Sequence, residues 1–199
     1  YSLIHPLNVF VSPIGKFKSF DYKLEKQIPT INPTINIVNF KIRKPSMSDV
    51  NSAIGKSKKD LNSKKIYGMF NDIISGKKSK KIIDPSKLDL KLGVDFDIVL
   101  KNNTRAKLEF KSLEYDFYVN SDSLINGKTN NIKNYGDKSI LRVSNEFSTM
   151  SLSKSILNAL YRKKGNYSLK GETSIKLPNS IKRSPVKLIF NEKGLLKIR

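Results

Sequence analysis

Hydrophobic and polar residues alternate through the middle of this chain. Leu88, Leu90, Leu92, Val94, Phe96, Ile98 and Leu100 take turns with Asp89, Lys91, Gly93, Asp95, Asp97, Val99 and Lys101, a period of two that only a strand with one buried face explains. Asn102, Asn103 and Thr104 make a turn. Leu108 and Phe110 open the next strand, whose inward set resumes as Leu113, Tyr115, Phe117 and Val119. The change from even to odd numbers between Phe110 and Leu113 needs one extra residue and predicts a bulge at Lys111 or Ser112.

Residues 31–42 are mostly β-branched or aromatic, with Pro33 near the start where a strand tolerates it. Pro45 ends this strand. Ser46 reads as a helix N-cap with Asp49 three residues on, and Met47, Val50, Ala53, Ile54 and Leu61 follow at helical spacing. A second helix from Ser63 carries Ile66, Phe70, Ile73 and Ile74 and stops at Gly76. Both are too short to stand alone, so their apolar stripes must rest on the core, on a partner or on a membrane interface. The run Lys77, Lys78, Lys80 and Lys81 that follows is read as a solvated loop.

Residues 121–137 read as loop around a short strand, and 140–147 as a strand. Ser151 is expected to cap a third helix containing Leu152, Ile156, Leu157, Ala159 and Leu160, closed by Gly165. Tyr167, Leu169, Gly171, Thr173, Ile175 and Leu177 alternate again. Val186, Leu188 and Phe190 form a last full strand before a turn at 191–194, and Leu195, Leu196 and Ile198 a short terminal one. Residues 1–30 hold apolar patches broken by Pro6, Pro13, Gly15 and Pro29, which suits an arm or short strands. The pattern predicts a mainly β sandwich over 31–199, with a two-helix insertion at about 45–84 and one further short helix.

At 199 residues the chain has room for one main core. It contains no cysteine, which removes thiol nucleophiles, disulfides and cysteine-ligated metal. His5 is the single histidine, so histidine-based triads and histidine-ligated zinc are excluded within one chain. No glycine spacing suits a phosphate-binding loop. Asp95 and Asp97 project from one outward face with Lys91 and Lys101, so cross-strand ion pairing is expected rather than a calcium site; Glu114 and Asp116 are read the same way. No enzyme, metal or cofactor is expected.

The net charge of +21 invites an anionic partner. Residues 1–87 carry 17 basic and 6 acidic side chains, and 88–199 carry 21 and 11, so neither half owns the charge. Only six of the bases are arginines, and a chain rich in Lys, Asn and Ile fits an A+T-rich coding sequence. The aromatics Phe96, Phe110, Tyr115 and Phe117 fall on inward positions, which argues against specific nucleic-acid binding. Diffuse attraction to anionic lipid remains open, because lysine serves well as a surface cation.

The long amphipathic strand from Leu88 to the turn at Asn102 and Asn103, followed by the aromatic stretch from Phe110 to Asn120 and by Gly127 as a loop glycine, resembles the late-embryogenesis-abundant (LEA) type 2 family, also called the water-stress and hypersensitive-response (WHy) domain. The helix near Ser151, the strand from Tyr167 and the closing segment at 191–198 fall where that family has them. Asn103 stands where the family often has proline, and the insertion is longer than the usual loop. The resemblance implies an immunoglobulin-like or fibronectin-like β-sandwich without a catalytic site. It also implies stress protection or an apolar groove for lipid, in a bacterial protein that is secreted or lipid-anchored. The chain opens on Tyr1 rather than methionine, and removal of a secretory or lipoprotein signal is one expectation.

The resulting expectation is an extracytoplasmic accessory protein of the cell envelope that holds an apolar ligand or lipid between sandwich and inserted helices. Leu92, Val94, Phe96, Ile98, Phe117 and Val119 are the expected lining. Met47, Val50, Ile54, Ile66, Phe70 and Ile73 form the expected face of the insertion. The alternatives are an interaction module docking a protein partner through that face, and a stress protectant without a site.

Overall fold

The computed structural model describes residues 2–8, 21–27, 33–57, 61–77, 83–103, 108–179 and 183–199. Contacts divide the chain into two compact units, Tyr1–Asn32 and Pro33–Arg199. The first is an antiparallel hairpin of β1 (Ser2–Asn8) and β2 (Asp21–Gln27), with His5 opposite Leu24.

The second unit contains β3 (Thr34–Arg43), helices α1 (Met47–Ser57) and α2 (Ser63–Ser75), then β4 (Lys91–Lys101), β5 (Glu109–Val119), β6 (Asp122–Thr129), β7 (Lys133–Asn134) and β8 (Lys138–Ser148). Helix α3 (Lys154–Arg162), β9 (Lys164–Lys176) and β10 (Val186–Lys197) complete it. The strands form two four-stranded antiparallel sheets, in the orders β10-β9-β5-β6 and β3-β4-β8-β7. This is a β-sandwich with a two-helix insertion and one further short helix. Its inner faces meet ring on ring: Phe96 of β4 stacks on Phe117 of β5 at 4.9 Å between centroids.

The sheets also approach at their edges. The Arg199 backbone N–H donates to the Phe40 carbonyl at 3.1 Å, and the Asn145 side-chain amide donates to the Asn126 carbonyl at 3.2 Å.

The extra residue predicted in β5 is Lys111: Phe110 pairs with Ile175 and Ser112 with Ser174. A second bulge, in β3, was not anticipated. Val38 pairs with Asp97 and Lys41 with Asp95, leaving Asn39 and Phe40 opposite Phe96. Asn39 takes a left-handed φ of 59°, which asparagine tolerates better than most side chains, and its amide donates to Asp97 at 2.9 Å. The inward set therefore moves from Ile35 to Phe40 and Ile42, all buried.

The helical pair begins as its sequence predicts. The Asp49 N–H donates to Ser46 Oγ at 3.1 Å, and the Ser46 N–H donates to the Asp49 carboxylate at 2.9 Å, a reciprocal cap. Hydrogen bonds from Ser46 hold the Asp49 carboxyl below its usual pKa. A carboxyl whose pKa is lower folded than unfolded contributes stability above its unfolded pKa, and that contribution disappears as pH falls through the folded value. Asn62 caps α2, and Gly76 ends it at a φ of 71°.

Three elements differ from the sequence reading. Helix α3 is capped by Ser153, whose Oγ accepts from the Ile156 N–H at 3.1 Å; Ser151 belongs to a preceding 3-10 turn capped by Ser148. The helix ends at Lys163, in the left-handed region at φ 54°, while Gly165 lies in β9. Residues 122–129 form a full strand led by a two-residue turn, Asn120 and Ser121, both at positive φ, as tight hairpins require. Gly127 is thus a strand glycine. Its missing side chain leaves room for the Tyr115 ring, whose hydroxyl lies 2.6 Å from where a Cβ would stand. Finally, β10 runs unbroken through 191–194, because Gly194 pairs with Tyr167 and that ring occupies the glycine's empty position.

Candidate functional site

Leu92, Val94, Phe96, Ile98, Phe117 and Val119 are brought together, and each is 0% or 1% exposed. Phe40, Phe96, Phe117 and Tyr167 form a continuous aromatic cluster with centroid separations between 4.9 and 6.2 Å. At this level the space between the sheets is filled by protein, and a ligand reaching these side chains would have to part them. Burial pushes the Tyr167 hydroxyl pKa up, and a hydrogen bond with the Ile37 backbone works against that rise. Burial likewise raises Tyr115, opposed by a bond with Asn145.

The insertion face is also inside. Val50, Ile66, Phe70 and Ile73 are buried and Ile54 is half-buried; Met47, at 38% exposure, stays at the surface. Helix α2 touches α1 and α3, and α3 in turn packs on β9 and β5. Lys163 fastens this layer: its ammonium donates to the Ile74 carbonyl at the end of α2 at 2.8 Å. Its backbone N–H caps Ala159 and Leu160. Burial and the nearby Lys44 charge lower its pKa. The later members of the lysine run, Lys78, Lys80 and Lys81, lie outside the described residues.

Of the four carboxylates assigned to ion pairing, Asp95, Asp97 and Glu114 are paired, the first two with different partners from those expected, and Asp116 has no ion pair among the described residues. Asp95 meets Lys41 at 3.6 Å and Arg43 at 3.5 Å, and Asp97 meets Arg142 at 3.3 Å. The β3 bulge brings Asn39 to Asp97, where the sequence pattern pointed to Lys91 and Lys101. Glu114 pairs with Lys128 at 3.1 Å. Among the described residues no group of three or more His, Cys, Asp or Glu is arranged to hold a metal ion, and no helix is long and apolar enough to cross a membrane.

The surface feature that sequence reading missed is the outer row of β10. Strand alternation places Lys187, Ile189, Asn191, Lys193, Leu195 and Lys197 outward, and all six are exposed. Ile189 and Leu195 are 80% and 83% exposed, the highest values among the described large hydrophobics. Lys187 is held by Glu172 at 2.8 Å, which raises its pKa. Among the described residues neither Lys193 nor Lys197 has a carboxylate partner. A turn expected at 191–194 cuts this row in two and hides its alternation.

No protein-family model matches the chain, and no curated protein matches it. Among solved structures it is similar to one titled as a crystal structure of a protein from Archaeoglobus fulgidus, at 10% identity and a TM-score of 0.33. That similarity covers 55% of this chain and 86% of the other.

Proposed function

We propose that this protein is a non-enzymatic, extracytoplasmic accessory protein of the cell envelope, a sandwich of the LEA type 2 kind that works at an anionic membrane surface. The outer row of β10 carries this reading: two aliphatic side chains at 80% and 83% exposure, interleaved with lysines. The strand spacing separates Ile189 from Leu195 by ~20 Å, so both can reach one flat surface. The apolar stripes of α1 and α2 are largely buried, which favours this face over the insertion as the point of contact, and lipid at the surface over lipid in the core.

The energies fit a reversible contact. A lysine near an anionic leaflet contributes about 1 kcal/mol, and an aliphatic side chain about 1.5–3 kcal/mol when fully buried. Two free lysines with two partly inserted aliphatics give roughly 5 kcal/mol, between millimolar and micromolar binding.

Flotation with lipid vesicles tests this. The protein is expected to float with vesicles containing phosphatidylglycerol and not with pure phosphatidylcholine, and to be released as salt rises. Ile189→Ser combined with Leu195→Ser is expected to weaken flotation on the order of a hundredfold without lowering the melting temperature. Equal flotation with both vesicle types, or none with either, would count against the reading.

A further inference from the structure

Three surface clefts differ in how their charges are balanced. One of about 550 Å³, over β5, β9 and β10, mixes Glu114, Asp116 and Glu172 with Lys170 and Lys187. Another of about 330 Å³ sets Asp95 and Asp97 against Lys41 and Arg142. In the second, ion pairs join all four charged groups; in the first, Lys187 pairs with Glu172 and the lining carboxylates outnumber the lysines. The third, of about 410 Å³, lies where the end of α3 meets the start of β9 and the end of β10. Arg162, Lys164 and Lys197 line it together with Asn158, Asn166 and Leu195, and no carboxylate does.

The strand register makes this arrangement unfavourable when empty. Lys197 pairs directly with Lys164, and like charges opposite one another on neighbouring strands repel. Arg162, one of six arginines in the chain, adds a third cation two residues before Lys164. Another such pair, Lys101 with Lys138, lines none of the three clefts. Gly165 shapes the floor: a Cβ there would come within 3.0 Å of Ala159 and 3.2 Å of the Asn120 side chain.

We infer that this cleft binds a phosphate group. Three converging cations suit a phosphomonoester, which carries about −1.5 to −2 charges near neutrality, better than a single carboxylate. The arginine fork matches phosphate oxygens, and the Asn158 and Asn166 amides supply neutral donors. Leu195 stands exposed on the rim, beside the anion, where the apolar part of a lipid would begin. The inference rests on the membrane reading only in naming a lipid headgroup as the carrier; free phosphate has the same chemistry.

The test compares the full chain with the triple variant Arg162→Gln, Lys164→Gln, Lys197→Gln. A control removes equal charge elsewhere through Lys64→Gln, Lys87→Gln, Lys138→Gln. Vesicles of phosphatidic acid and of phosphatidylglycerol, matched in surface charge, serve as one probe. Inorganic phosphate, followed by NMR at the Asn158 and Asn166 side-chain amides, serves as the other. The native chain is expected to prefer phosphatidic acid, and the cleft variant to bind it about tenfold more weakly while the control changes less than about threefold. Phosphate shifts without any vesicle binding would keep the cleft, assign it a soluble phosphate and remove the membrane reading. Equal binding to both anionic lipids with no phosphate shifts would overturn the cleft and leave the membrane reading standing.

Discussion

Phe117→Ala is expected to cost about 3–5 kcal/mol of folding free energy, the range for truncating a fully buried phenylalanine. Phe117 is 0% exposed and lies within 4.9 to 6.2 Å, centroid to centroid, of the Phe40, Phe96 and Tyr167 rings. Those rings come from three other strands in both sheets and cannot close the gap without moving backbone. In a domain of this size the melting temperature should fall by on the order of 10 °C. Phe117→Leu keeps most of the volume and should cost about 1.5 kcal/mol or less. The experiment also bears on function: if these residues lined a cavity that awaits a ligand, the ligand-free protein would tolerate the truncation far better. Thermal unfolding of the three proteins distinguishes the cases.

Gly171→Ala is expected to be comparably damaging, for the opposite reason. A Cβ at Gly171 would lie 2.0 Å from the Glu114 carbonyl oxygen and 2.7 Å from the Phe190 ring. The ring can turn, but the carbonyl belongs to the backbone of β5, which pairs with β9 at Tyr115 and Gly171. Relief requires the two central strands of the sheet to separate locally, which puts the cost at about 3 kcal/mol, the upper end for overpacking. Gly68→Ala, on half-buried α2 with nothing within 4 Å of the added carbon, is the matched control and should stabilise slightly through helix propensity. Chemical denaturation of both variants checks the contrast, and a Gly171→Ala protein as stable as the native one would mean that the β5–β9 pairing is misjudged.

The sandwich was legible because its buried strands alternate. The row from Leu88 to Leu100 needs no tertiary information, and the parity break between Phe110 and Leu113 located the Lys111 bulge to within a residue. The same parity break occurs between Ile35 and Phe40 in β3, where β-branched residues on both faces masked it. The helical insertion was legible from its caps, Ser46 with Asp49 at one end and Gly76 at the other.

Misreadings arose where a residue's local preference was overridden from across a sheet. Gly127 and Gly194 look like turn residues, yet each sits in a strand beneath a tyrosine ring from the neighbouring strand. Three serines, Ser148, Ser151 and Ser153, each suit an N-cap, and spacing alone did not reveal that two of them cap successive helical turns. The surface site was hidden for both reasons. Breaking β10 at 191–194 concealed its outward row, and the convergence of Arg162, Lys164 and Lys197 depends on a register between β9 and β10 that no local pattern encodes.

Hydrogen–deuterium exchange with and without phosphatidylglycerol vesicles locates the membrane contact rather than only detecting it. Vesicles are expected to slow exchange along Val186–Lys197 and to leave α1 and α2 unchanged. Slowed exchange in Met47–Ser75 with β10 unaffected would contradict this, and would make the helical insertion the working surface instead.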